Sequence, residues 1–168
     1  GPFVLDTVLM RKAKDWQELL QETYDIDVEM QIAEPPFQAE DDIECRGYCL
    51  KTDAKTYESR VKKLKSQVNT ALIELMTAVE KHRPRLIVGE GQGGVVAAMV
   101  TFPVIVERAC RDRACTLHQM ATFRQAWSGV AAILVTDPMI LPTSNNLRGA
   151  PFELLKDAFP NMSWAQPR

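Results

Sequence analysis

The chain has 168 residues, 46% hydrophobic and 25% charged, with a formal net charge of −2. That is enough length for a real core, and the near balance of charge argues against nucleic acid or a membrane surface as partner. The longest apolar run, Val95 to Val106, is interrupted by Thr101 and Pro103 and falls short of the ~20 residues of a membrane span, so it reads as buried helix. No signal-peptide pattern is visible, and Gly1-Pro2 resembles the scar that a tag protease leaves. We therefore expect residues 3–168 to be a single cytoplasmic α/β domain excised from a longer protein.

In chain order, "FVLDTVL" reads as an apolar opening strand. Leu9, Ala13, Trp16 and Leu20 then recur at helical spacing. "IDVEMQI" alternates strictly, with Ile26, Val28, Met30 and Ile32 on one side, and predicts a half-buried strand. Glu34-Pro35-Pro36 stops it, and the acidic stretch "FQAEDDIECRGYCLKTD" reads as a solvated loop without cation-binding spacing. Thr52 or Asp53 is placed to cap a long helix from about Lys55 to His82. Its stripe is Val61, Leu64, Val68, Leu72, Leu75, Met76 and Val79, with Lys62, Lys63 and Lys65 on a solvated face.

Pro84 ends that helix, and "RLIV" predicts a short buried strand. A helix from near Gly93 through Ala98 follows, with Pro103 kinking it or starting another. Helix then continues to Trp127, broken at Ser128-Gly129 ahead of a buried strand in "VAAILVTDP". "PMILPTSNN" reads as loop and "APFELLKDAFP" as a final helix. Helices alternating with short apolar strands predict a three-layer α/β/α fold around a short, mostly parallel sheet covered on both faces.

The four cysteines form two pairs, Cys45 with Cys49 and Cys110 with Cys115. Neither pair has the two-residue spacing of a zinc knuckle, and no histidine stands beside them at ligand spacing. They read as reduced, partly buried thiols, and no metal is expected.

The stretch "LIVGEGQGGVVAA", residues 86–98, carries the functional question. Gly89, Gly91 and Gly94 satisfy G-x-G-x-x-G between a strand and a helix, the pattern of a dinucleotide-binding turn. Glu90, however, puts negative charge where phosphates would lie, and Asp137 falls well beyond the ~20-residue distance expected of a ribose-binding acid. A second reading is structural: glycines permit close strand–helix packing and positive φ.

A third rests on resemblance. "VGEGQGG" resembles the "VGHSQGG" nucleophile elbow of the α/β-hydrolase superfamily, with Glu90 and Gly91 in place of the His-Ser pair. Trp16 with "QELLQETYDIDVEMQI" is similar to that family's first helix and following strand. "VAAILVTDP" is similar to the strand after the elbow helix, so elements in matching order cover roughly residues 3–142. The resemblance implies an oxyanion donor at the Gln92 amide. It also implies that the nucleophile is missing, because Gly91 occupies its position and no histidine follows His118.

The strands' carboxyl ends should bring Asp137 beside the turn. The expectation is a degenerate ligand-binding elbow of Gly89, Glu90, Gly91, Gln92, Gly93, Gly94 and Asp137, with no catalytic residue and no cofactor. The chain reads as a non-catalytic pseudo-hydrolase acting as a protein-binding or self-associating module. The alternatives are a hydrolase using unrecognised residues and a nucleotide-binding domain.

Overall fold

The computed structural model describes residues 7–39, 42–47 and 54–136. The opening strand expected in "FVLDTVL" is corrected over its last three residues, which begin a helix; its first four, the caps at Thr52 or Asp53, Cys49, Asp137, the loop after it and the final helix lie outside the described residues. The chain divides into two compact units, residues 1–47 and 48–168.

The first unit holds α1 (Thr7–Tyr24), β1 (Phe37–Ala39) and β2 (Asp42–Gly47). In α1 the half-buried positions are Ala13, Gln17 and Leu20, at helical spacing, while Trp16 and Leu19 stay exposed. The alternating segment Ile26–Ile32 forms no strand, which corrects the expectation. Val28, Met30 and Ile32 are half-buried and Asp27, Glu29 and Gln31 exposed, as the pattern asks, but Ile26 is 47% exposed. A strand also needs a ladder partner, and the Val28 carbonyl instead accepts a 2.9 Å bond from the Gln17 side chain. The supposed acidic loop contains a hairpin: β1 pairs antiparallel with β2, Phe37 opposite Gly47 and Gln38 opposite Arg46, before an irregularity at Ala39. Asp42 to Arg46 alternates polar and apolar residues, the period-2 signal of such a strand.

The second unit is built on α2 (Tyr57–His82). It carries α3 (Gln92–Val100), α4 (Pro103–Asp112) and α5 (Leu117–Ser128), with strands β3 (Leu86–Glu90) and β4 (Ala132–Thr136). Thr56, not Thr52 or Asp53, caps α2, its hydroxyl accepting from the Ser59 amide at 3.2 Å. Arg83 closes α2 at φ 49 with a 2.8 Å bond to the Val79 carbonyl, ahead of Pro84. The expected stripe is buried, and α3, α4 and α5 all pack on α2. Leu72 and Met76 meet Val96, Ala97 and Val100 of α3 and Ile105 and Ala109 of α4 in one core.

Pro103 begins α4 rather than kinking α3, and the two helices turn through 99°. The long helix expected to reach Trp127 is two helices, parted at Arg113–Thr116. Thr116 and Gln119 make a reciprocal capping box that starts α5.

β3 and β4 pair in parallel, Leu86 opposite Ala132 through Glu90 opposite Thr136. Among the described residues the fold is thus mixed α/β, with five helices and a parallel sheet of two strands. α3 lies against both strands. The strands are not buried on both faces: Leu86, Val88 and Leu134 are 50%, 40% and 41% exposed. By register they share one face, opposite the half-buried Ile87 and Ile133.

Cys110 is buried on α4 at 1% exposure. Burial pushes its thiol from 9.0 up to about 12, reinforced by a hydrogen bond and charge interaction with Cys115 and by the Glu107 carboxylate, with Arg124 opposing. The folded chain therefore holds this proton to higher pH than the unfolded chain. Stability that is complete below pH 9.0 is lost as pH rises towards about 12, at about 1.4 kcal/mol per pH unit. In reducing buffer, urea midpoints at about pH 8 and about pH 10 should fall further for this chain than for Cys110→Ala. Parallel losses in the two proteins would assign the alkaline transition to other groups.

Candidate functional site

Between β3 and α3 the chain changes from strand to helix across one residue. Gly91 makes the change at φ 59 and ψ −126, a conformation that is strained for any residue with a side chain. Its N–H donates to the Thr136 carbonyl at 3.2 Å, carrying the β3–β4 ladder one step past the Glu90–Thr136 pair. Its carbonyl accepts from Val95 at 3.4 Å and so opens the helix.

Gly89 and Gly94 act differently. A Cβ on Gly89 would lie 2.7 Å from the Gly94 Cα and 2.8 Å from the Gly93 carbonyl oxygen. A Cβ on Gly94 would lie 2.8 Å from Val135 Cγ1 and 2.9 Å from the Gly89 carbonyl oxygen. The first turn of α3 thus crosses β3 at backbone contact, which only this glycine pair allows. Packing and backbone conformation account for Gly89, Gly91 and Gly94 with no ligand. Gly93 is half-buried in the first turn of α3.

Glu90 is exposed and Gln92 half-buried, on either side of Gly91. The Glu90 carboxylate stands just before the N-terminus of α3. That is the sign the helix dipole favours, and it would repel an added phosphate there. Parallel pairing brings the glycine turn and the end of β4 to one edge of the sheet, as expected. Thr136 is the last described residue of that edge, and Asp137 lies outside the described residues.

A nucleophile is missing from the apex because Gly91 has no side chain. Among the described residues neither histidine stands beside the apex. His82 is exposed at the end of α2, so all of β3, roughly 16 Å of strand, separates its edge of the sheet from Gly91. His118 is exposed on the first turn of α5. Among the described residues no group of three His, Cys, Asp or Glu side chains could hold a metal ion. No single described helix is long and apolar enough to cross a membrane.

Away from the turn, an open groove of about 530 Å³ is lined by Tyr57, Lys62, Lys65, Asn69, Asp112 and Arg113. Asn69 donates to Asp112 at 2.9 Å and Arg113 to the Ser66 carbonyl at 3.4 Å, which joins the end of α4 to α2 across it. Helical periodicity places Lys62 and Lys65 off the core but cannot show that the end of α4 comes alongside them.

No family model, curated protein or solved structure matches the chain.

The glycine roles separate on substitution. Gly89→Ala and Gly94→Ala should each cost about 1–3 kcal/mol by overpacking. Gly91→Ala should cost a similar amount through backbone strain, roughly 1–3 kcal/mol. Gly93→Ala, at a helical position, should be neutral or stabilising by up to about 1 kcal/mol. Urea denaturation measures all four. A Gly93→Ala loss equal to that of Gly94→Ala would contradict the close-contact account.

Proposed function

We propose that this chain is a non-catalytic, α/β-hydrolase-like module that works in the cytoplasm by binding protein, first of all a second copy of itself. The observation that carries this reading is a sheet whose apex residue, Gly91, has no side chain while one of its faces displays Leu86, Val88 and Leu134. The sharp positive-φ turn from strand to helix is the backbone design of a nucleophile elbow. With glycine at its apex it can present neither a hydroxyl nor a thiol. The apolar row has the character of a surface that is covered in use. A second copy brings an identical row, so two-fold pairing would match apolar to apolar and supply the third layer of an α/β/α arrangement.

The nucleotide-binding alternative is weakened at the same turn. The Gly91 amide, one of the donors a pyrophosphate would use, already bonds Thr136, and Glu90 adds a like charge. A hydrolase would need both nucleophile and base from elsewhere.

Light scattering should give a mass near twice 18.9 kDa, and Val88→Lys with Leu134→Lys should return the chain to monomer while it stays folded by circular dichroism. A fluorophosphonate probe should leave the chain unlabelled, and Gly91→Ser should gain little esterase activity because neither His82 nor His118 stands beside Gly91. A monomer at every concentration would remove self-association. Stoichiometric labelling would overturn the non-catalytic reading. A saturable thermal stabilisation by NAD or ATP would restore the nucleotide alternative.

A further inference from the structure

The junction of α4 and α5 brings two thiols together by backbone hydrogen bonding. α4 ends with Ala114 at φ 52, an uncommon left-handed position for a residue other than glycine. The Ala114 amide donates to the Arg111 carbonyl at 3.1 Å, and the Cys115 amide to the Cys110 carbonyl at 2.8 Å. This pair of bonds is a Schellman motif, in which the residue after the left-handed position packs back on the last turn of the helix. Here the two residues that the motif brings together are Cys110 and Cys115.

The 2.8 Å bond limits the separation of their Cα atoms. Adding one N–Cα bond and one Cα-to-oxygen distance gives at most about 6.7 Å, within the roughly 4.4–6.8 Å that a disulfide spans. Both thiols are free, Cys110 buried and Cys115 partly accessible.

We propose that Cys110 and Cys115 are a dithiol site that exchanges with small-molecule disulfides of the glutathione class and closes to an intramolecular disulfide. The accessible Cys115 thiolate attacks one sulfur of oxidised glutathione. The Cys115–glutathione bond forms, the glutathione S–S bond breaks, and the released thiolate takes up the proton that Cys115 gave up. Cys110 then loses its proton and attacks the Cys115 sulfur, expelling the second glutathione as thiolate, which is protonated in turn. Two protein thiols are oxidised and one glutathione disulfide is reduced to two thiols. The product ties the last turn of α4 to the residue before the Thr116 cap of α5.

Burial keeps the Cys110 thiol protonated at neutral pH, so the second step is the slow one. The groups that act on this thiol are Glu107 on α4, Arg124 on α5 and Cys115 itself. Once Cys115 carries glutathione its own hydrogen bond and charge no longer act, but desolvation, the leading cause, remains. Closure should therefore quicken by about tenfold per pH unit between about pH 7 and about pH 9.

The test incubates the full chain with oxidised glutathione, blocks remaining thiols and digests with trypsin. Cleavage after Arg108, Arg111, Arg113 and Arg124 puts Cys110 and Cys115 on separate peptides, so only a disulfide holds residues 109–111 to residues 114–124. We expect that linked pair. In Cys110→Ala we expect a persistent Cys115–glutathione adduct, at least about tenfold more abundant than in the unaltered chain. Cys115→Ser should leave Cys110 unmodified while the fold persists by circular dichroism, and should keep the proposal testable if Cys110→Ala does not fold. Links that join Cys110 or Cys115 to Cys45 or Cys49, an adduct equal in the unaltered chain and Cys110→Ala, or adducts on Cys110 in Cys115→Ser would each overturn the proposal.

Discussion

α3 lies on β3 at backbone distance because neither Gly89 nor Gly94 has a Cβ, and the second unit is arranged around that contact. It holds the first turn of α3 against both strands while Val96, Ala97 and Val100 reach the stripe of α2 on the other side. A methyl at either glycine would meet backbone atoms, or a valine packed from β4, and the layers would have to part. The same contact leaves one residue for the chain to reverse direction, which is why Gly91 takes a positive φ. The likeness to an elbow comes from this geometry, whereas the missing side chain at its apex comes from the residue type at Gly91.

The helices beyond α3 follow from how each is ended. Pro103 has no amide hydrogen to contribute to a continuing helix, so α4 starts afresh at a 99° turn. α4 stops at a left-handed Ala114, and the capping box of Thr116 and Gln119 starts α5 almost at once. Across this short junction the Cys115 amide donates to the Cys110 carbonyl at 2.8 Å, which brings two cysteines together. Arg124 and Glu107 form an ion pair across the same two helices, close enough to act on the Cys110 thiol with opposite signs.

Much of this was legible from spacing. The stripe of α2 declares itself by period, and it is buried where the period puts it. The strand–turn–helix at Gly91 and the parallel ends of β3 and β4 also follow from pattern. Three local signals were present but outweighed. T-x-x-Q at Thr116 marks a helix start, Thr56 stands one residue before α2, and Asp42 to Arg46 alternates inside what reads as an acidic loop. Ile26 to Ile32 failed the other way, since alternation describes which side chains are covered and not whether another strand lies alongside.

The stripe of α2, the strand–turn–helix around Gly91 and the lack of a side chain there are legible in the sequence alone, because residue type and period dictate them directly. Which atoms meet is not. The Gly89–Gly94 contact, the pairing of Cys110 with Cys115 five residues on, and the exposure of Leu86, Val88 and Leu134 depend on distances between segments that no spacing rule contains. An apolar strand reads the same whether one face or both are covered. Only the packed chain decides, because burial belongs to the arrangement of neighbours and not to the residue.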